Sequence, residues 1–434
     1  MNYSDRLNQL IPGGAHTYSR GDDQFPSTAP QILAKGEGAY VWDPDGRRFL
    51  DYGMGLRAVT LGYANQRVNA AAIRQIDNGV NMTRPSIIEL EAAEALVELI
   101  PSADMVKFGK NGSNVTTGAV KLARAFTGRR YVCIPRQHPF FSFDDWFIGA
   151  TNVTRGIPAE HASLTVVFDY GDIASLEDLF ERYAGDIACV MMEPSCLMID
   201  GQDQAGVFLS QARELTRKSG ALLILDEMIT GFRYHLRGAQ TYYGVSPDLS
   251  TFGKGMANGF SLSALVGRRD IMELGGIRAE GAERVFMMST THGSEMPPLG
   301  AFIETVQVYR DEDVIGHLWR YGQRLLDALR ALSRKMGLSE FFDVDGSPIN
   351  MNYVTRDTDG SISLPMRTLF AQEMARHGVL IPWVAVSLSH GDEELALTLS
   401  AAEEALGVYQ RAIDDGWRKY LVGSPIKPVF RKTN

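Results

Sequence analysis

An α/β protein with a mostly parallel central sheet is predicted by three observations on this sequence. Six short apolar runs, Met105–Phe108, Tyr131–Ile134, Leu164–Phe168, Ile187–Met192, Ala221–Leu225 and Ser263–Val266, recur through the middle of the chain. Most are separated by helix-like stretches such as Thr116–Phe126 and Leu209–Ser219, and buried strands alternating with helices imply a sheet covered on both faces. The 434 residues are 45% hydrophobic and 22% charged, an ordinary globular balance. At about 150 residues per domain this is roughly three domains' worth of chain, or one large two-domain unit.

Taken in order, the elements begin with a hairpin: Ala39–Trp42, the turn Pro44-Asp45-Gly46, then Arg47–Tyr52, where Asp-Gly between two apolar runs is a strong turn signal. Ser86 and Glu89 have capping-box spacing, and Ile87, Leu90, Leu96, Val97 and Ile100 follow near helical period until Pro101 ends the run. After the strand–helix alternation, from about Glu304, the pattern becomes long-helical (Val314–Met336). A strand-like run follows at Ile349–Val354, then a helix around Arg367–His377 and a last helix from Glu393. This predicts a smaller α+β domain made from both ends of the chain. The expected division is an N-terminal segment 1–60 contributing to that small domain, a large domain 61–319, and the rest of the small domain in 320–434.

Lysine and arginine number 43 against 52 aspartates and glutamates, a net charge of −9. That balance argues against broad nucleic-acid or anionic-membrane binding, while a local basic pocket for a phosphate stays open. The start, MNYSDRLNQLIPGG, lacks the basic and apolar regions of a signal peptide, and no run approaches the ~20 apolar residues of a membrane span. Cys133, Cys189 and Cys196 do not make a disulfide framework. A soluble, cytoplasmic protein is expected, with no metal site.

Three motifs carry chemistry. Ala221-Leu-Leu-Ile-Leu-Asp226-Glu227 is a buried-strand run ending in acids, and parallel sheets bind ligands beyond the carboxyl ends of their strands. An isolated acid there is more often a solvated strand end or a cap. Gly253-Lys254-Gly255 sets one lysine between two glycines after a short apolar run, which lets a ligand approach an amine able to form a Schiff base. A lone lysine is more often a mobile surface charge. Walker A is excluded by Asp248 and Gly255, and a dinucleotide loop by Asn258. Gly109-Lys-Asn111-Gly112-Ser113-Asn114, between a strand and a helix, offers backbone N–H groups and a hydroxyl to a phosphate dianion, although alone it is merely a helix cap. Together they form the protein side of pyridoxal phosphate chemistry: a phosphate cradle, a lysine for an aldehyde, and an acid that keeps a ring nitrogen protonated.

The set Asn111-Gly-Ser-Asn-Val-Thr-Thr-Gly-Ala-Val-Lys-Leu-Ala-Arg124, Glu193-Pro194, Asp226-Glu-Met-Ile-Thr-Gly-Phe-Arg233 and Lys254 resembles the class III aminotransferase family, fold type I. Ile11-Pro-Gly-Gly14, Gly38-Ala-Tyr-Val-Trp-Asp43 and Asp51-Tyr52 resemble its glutamate-1-semialdehyde aminomutase branch, and matches extend to Leu388-Ser-His390. The resemblance implies pyridoxal 5'-phosphate as cofactor, with pyridoxamine 5'-phosphate as the intermediate carrier. By it Lys254 is the Schiff-base lysine and proton shuttle, and Asp226 the pyridinium partner. Glu193 helps position the cofactor, and Gly112, Ser113 and Asn114 hold its phosphate. Met228 packs on one ring face. Thr291, with Thr290 as near alternative, completes the phosphate site of a neighbouring subunit, so a homodimer with shared active sites is implied.

The sequence departs from the family pattern at Gln137-His138-Pro139, where an aromatic residue should precede His-Gly. His138, or Phe140 or Phe141, is left as the ring-stacking candidate. Met198 and Leu56 replace the mutase branch's Asn and Trp, and Ser142–Gly149 replaces its glycine-rich lid. Arg20 aligns with a mutase arginine near the substrate carboxylate, and Arg57 is a second candidate for a bidentate carboxylate contact. The expected activity is ping-pong transfer of an amino group from a small-molecule amino acid donor, L-glutamate first, to an aldehyde or ketone acceptor. An intramolecular aminomutase and a non-catalytic cofactor binder are the alternatives.

Overall fold

The apolar runs do become strands, and the order in which they pair decides where the two acids and the lysine end up. The computed structural model describes residues 2–137, 140–195 and 202–433. By its internal contacts the chain divides into two units, Gln66–Ile315 and the two ends Met1–Asn65 with Gly316–Asn434.

The unit made from the chain ends opens with β1 (Lys35–Glu37), β2 (Tyr40–Trp42) and β3 (Arg48–Asp51). The β2–β3 hairpin is antiparallel, with Tyr40 opposite Leu50. Its turn is held by Asp43, whose Oδ1 accepts the N–H groups of Asp45 (3.0 Å) and Arg47 (2.9 Å).

The central unit carries β4 (Met105–Gly109), β5 (Tyr131–Pro135), β6 (Thr165–Phe168), β7 (Ile187–Met192), β8 (Leu222–Glu227), β9 (Leu249–Phe252) and β10 (Ser263–Gly267). They form one seven-stranded sheet in the order β4-β10-β9-β8-β7-β5-β6. All pairings from β9 through β6 are parallel, and β10 alone runs antiparallel to both its neighbours. Strands buried on both faces read as continuous apolar runs, as β7 does in every residue. Cys133, Val190, Met192, Leu223 and Leu225 pack with Phe208 and Leu209 of the helix Gln202–Ser219 on one side. The helix Gly112–Thr127 buries Val115, Ala119, Leu122 and Ala123. The helix Ile87–Leu99 starts at the Ser86 and Glu89 capping box.

Back in the unit of chain ends, β11 (Phe342–Ser347) and β12 (Asn350–Thr355) pair antiparallel, and β13 (Val379–Leu380) joins β3 in parallel. Its long helices span Val314–Lys335, Leu364–Arg376 and Asp392–Asp415. Among the described residues no helix is long and apolar enough to cross a membrane, and no group of metal-ligating side chains occurs. Cys133 and Cys189 are buried free thiols; Cys196 lies outside the described residues.

Candidate functional site

Strand register builds the site at the carboxyl edge of the central sheet. In the β8–β9 pairing Asp226 lies opposite Thr251, and the Thr251 hydroxyl donates to Asp226 Oδ1 at 3.0 Å. The Met228 N–H donates to the same oxygen at 3.0 Å. In the β7–β8 pairing Met192 lies opposite Leu225, so the next residue along β7, Glu193, follows beside Asp226. Both carboxylates are almost fully buried, Asp226 at 1% and Glu193 at 6% exposure. Burial first, and the Glu193 charge second, push the Asp226 carboxyl up to about 7, against the pull of the Lys254 cation and the two hydrogen bonds.

Lys254 follows β9 by two residues, after Gly253, and opens a short 3₁₀ turn, Lys254–Ala257. Its φ is +43°, in the left-handed region that side-chain-bearing residues rarely occupy. Such strain persists only where the surroundings impose it, and it clusters at functional sites. A Cβ added to Gly253 would lie 2.6 Å from Met228 Sδ, and one added to Gly112 would lie 3.2 Å from that same sulfur. Met228 therefore fills the space between the lysine's turn and the amino end of the helix Gly112–Thr127, with its sulfur close to both glycines.

At that helix end Asn111 is the N-cap, its side chain accepting from Asn114 N–H at 3.1 Å. The first-turn N–H groups of Gly112 and Ser113 are left for solvent or a ligand. The Ser113 hydroxyl oxygen accepts the Phe143 N–H at 3.1 Å, which leaves its own hydrogen free to donate. The segment after Phe140 is fastened to this helix. Thr116 donates to the Phe141 carbonyl at 2.9 Å, Thr117 bonds Ser142 and Asp144, and Trp146 Nε1 donates to Thr117 at 2.8 Å. Phe141 is buried edge-on against Phe147, whereas Phe140 is exposed. His138 and Met198 lie outside the described residues.

Glu227 points into a different environment. Its carboxylate accepts the N–H groups of Ala239 and Gln240 and the Gln240 side-chain amide, and burial pushes it up to about 7. It anchors the segment after β8 and stands apart from the Asp226 cluster. Thr290 and Thr291 are exposed, and the Thr291 carbonyl accepts from Asn81 Nδ2 at 3.0 Å. Arg20 and Arg57 belong to the unit of chain ends, Arg20 exposed and Arg57 half-buried.

The structure thus brings together Gly112, Ser113, Glu193, Asp226, Met228 and Lys254 within one unit. Sequence reasoning missed Thr251 and the Ser113–Phe143 contact. A threonine three residues before the lysine was the available signal for the first, but its partner emerges only from strand register.

The chain matches the family model described as Aminotransferase class-III over residues 19–384. It is 31% identical over 425 residues to the glutamate-1-semialdehyde 2,1-aminomutase of Persephonella marina, covering 93% of this chain and 97% of that one. With the protein of the same name from Thermomicrobium roseum it shares 33% identity over 426 residues, covering 94% and 97%. Among solved structures it superposes with a TM-score of 0.85 and 29% identity on the PLP internal aldimine form of the FumI protein of Sphingopyxis sp. MTA144, covering 95% of this chain and 97% of that one.

Proposed function

Because this chain belongs to the class III aminotransferase family, we propose that it is a pyridoxal 5'-phosphate-dependent aminotransferase. It takes an amino group from an amino acid donor, L-glutamate first, and gives it to an aldehyde or ketone in a ping-pong cycle, with pyridoxamine 5'-phosphate as the intermediate carrier. The observation that carries this reading is the meeting of Asp226, Glu193 and Lys254 with a helix amino end in one unit.

The residues fit the cofactor. A buried acid whose two hydrogen bonds fall on Oδ1 keeps Oδ2 for a cationic N–H donor. The Gly112 and Ser113 N–H groups and the Ser113 hydroxyl suit a phosphate dianion. Met228 supplies an apolar, polarizable wall between those two ends.

When bound, the cofactor supplies a conjugated cationic ring that accepts the electron pair left on the substrate carbon as its proton departs. Lys254 Nζ would hold the cofactor through its aldehyde carbon and, as the base of the site, would take the proton from the donor's α-carbon and return it at the acceptor's carbon. Asp226 keeps the ring nitrogen protonated through charge and a hydrogen bond. Glu193 contributes negative charge beside it. Arg20 and Arg57 are the candidates for a substrate carboxylate. Thr290 or Thr291 completes the phosphate site of a partner subunit in a homodimer with shared active sites, and the exposure of both supports that role.

The test is the absorbance spectrum of the cofactor-loaded protein before and after L-glutamate, with 2-oxoglutarate assayed in the same tube. Loss of the cofactor band with about one 2-oxoglutarate per subunit is expected. A band that ignores every amino donor overturns the reading and favours a non-catalytic binder. Lys254→Ala is expected to remain folded and lose turnover. The names of the two curated relatives favour one second reading, an intramolecular aminomutase. Turnover of an amino aldehyde without a separate donor distinguishes it.

A further inference from the structure

Two neighbouring acids at the end of β8 face two neighbouring hydroxyls of β9, and the two pairs are finished differently. The register sets Leu225 opposite Ser250, Asp226 opposite Thr251 and Glu227 opposite Phe252. Successive side chains of a strand leave opposite faces, so Asp226 and Glu227 part, as do Thr251 and Ser250. On one face the protein occupies both oxygens of Glu227. The Gln240 N–H and side-chain amide donate to Oε1 at 3.1 and 3.0 Å, and the Ala239 N–H donates to Oε2. Ser250 supports this from behind, its oxygen accepting from the same Gln240 amide at 3.2 Å.

On the other face the Thr251 hydroxyl and the Met228 N–H both donate to Asp226 Oδ1, each at 3.0 Å. Among the described residues no hydrogen bond falls on Oδ2, although Asp226 is only 1% exposed. Leaving a buried carboxylate oxygen without a donor costs its desolvation, so Oδ2 calls for a donor brought by a ligand. Thr251 is itself wholly buried. Valine has its shape, suits a strand as well and carries no hydroxyl to desolvate, so a threonine at this position is accounted for by the acid it faces. An aspartate turns easily about its last side-chain bond, and one donor alone does not stop it. Two donors from separate elements, β9 and the segment after β8, fix the plane of the carboxylate. They also oppose the burial and the Glu193 charge that favour its protonated form.

We propose that Thr251 is a positioning residue for the cofactor: by holding Oδ1 its hydroxyl sets the plane of the Asp226 carboxylate and keeps Oδ2 for the protonated nitrogen of the pyridoxal 5'-phosphate ring. The inference rests on the reading of Asp226 as the partner of that nitrogen. Because the effect passes through Asp226, it is felt at the ring nitrogen and at neither the phosphate nor the aldehyde.

The test measures, by calorimetry on the cofactor-free protein, the affinities for pyridoxal 5'-phosphate and for its deaza analogue, in which C–H replaces the ring nitrogen. Phosphate and aldehyde are common to both ligands, so the ratio of affinities reports the ring-nitrogen contact. The parent is expected to prefer pyridoxal 5'-phosphate, and Asp226→Ala to lose that preference. Thr251→Val is expected to lower the ratio by about fivefold or more, and Thr251→Ala to do the same. Thr251→Ser keeps the hydroxyl and is expected to stay near the parent. In Asp226→Ala/Thr251→Val the ratio stays where Asp226→Ala alone puts it, because Thr251 acts through Asp226. Thr251→Val and Thr251→Ala ratios equal to the parent's overturn the proposal, including the case where both ligands weaken alike and Thr251 only packs. A further fall when Thr251→Val is added to Asp226→Ala overturns it too. If Asp226→Ala itself keeps the parent's ratio, the pairing of Asp226 with the ring nitrogen fails and the proposal falls with it. If Asp226→Ala loses the ratio and the Thr251 variants do not, the proposal alone fails, so the two failures are distinguishable.

Discussion

Asp226 and Glu227 are neighbours at the end of one strand, both pushed up to about 7 by burial, yet only Asp226 shares its surroundings with a second carboxylate and a lysine. Their folded-state values lie above the ordinary unfolded carboxyl value of about 4, so the folded chain favours the protonated forms. The stability they contribute is fully present below about pH 4 and is lost as pH rises through about 7. The cofactor-free protein is therefore expected to lose several degrees of Tm between pH 5 and 8, and Asp226→Asn to lose fewer. A flat profile in the parent, or an unchanged slope in Asp226→Asn, would sink this account. If Asp226 partners the cofactor's ring nitrogen as proposed, the cation beside it favours the carboxylate, so loading the cofactor is expected to shrink the slope and Asp226→Asn to lower kcat by about a hundredfold or more. Asp226 and Lys254 were legible in the sequence because each interrupts an apolar pattern. Thr251 was not, since nothing in Leu249-Ser-Thr-Phe252 says which strand it will face. Ser113 was legible as a donor, but its Phe143 contact depends on how the segment after Phe140 folds back.

At the scale of elements, six strands of the central sheet were legible as apolar runs, whereas β9, buried at every residue, showed only as the short apolar run before Gly253, and the ends of the strands were not legible. The run read as Ala221–Leu225 begins at Leu222 and continues to Glu227 as β8, because pairing with Thr251 and Phe252 of β9 carries the two acids into the sheet. The reversed direction of β10 leaves no mark on Ser263–Val266, since a buried antiparallel strand has the same composition as a parallel one. The Ser86 and Glu89 signal became a capping box with bonds to Glu89 Oε1 at 2.9 and 3.1 Å. Ser86→Ala is expected to cost about 1 kcal/mol in denaturant unfolding. The turn 54–57, in which Met54, Gly55, Leu56 and Arg57 all have positive φ, was invisible, because Met-Gly-Leu-Arg contains one glycine where the backbone would favour four. Gly55→Ala adds a methyl 3.2 Å from Val59 Cγ2 to a residue at φ 59°. It is expected to cost about 1–2 kcal/mol or more, exceeding the cap; a smaller loss than Ser86→Ala would show that the turn relaxes at little cost.

For the whole molecule, the chain leaves the terminal unit after Asn65 and returns to it at Gly316, so the smaller unit joins pieces far apart in sequence. Helix and strand periodicity hinted at its contents, but pairing of β3 with β13 joins Leu50 to Val379 and could not be read locally. The association of whole chains is the remaining question, and Thr290 and Thr291 make it testable. Both are exposed, on a segment tied by the Lys110–Glu295 ion pair to the loop before the helix Gly112–Thr127. If these threonines serve the partner's phosphate site, loss of Lys254 and loss of the threonines disable different sites in a mixed dimer. A Lys254→Ala chain paired with a Thr290→Ala/Thr291→Ala chain then contains one site with its lysine and its partner's threonines both intact. Such heterodimers, isolated with two affinity tags, are expected to recover about half the wild-type activity per dimer, although neither parent homodimer is active. If the threonines act within their own chain, every site lacks one component and mixing restores nothing. Activity retained by the threonine variant alone would remove these residues from the site altogether. Because the comparison is between dimers of the same two chains, it reports which subunit supplies the threonines independently of how much each substitution weakens cofactor binding.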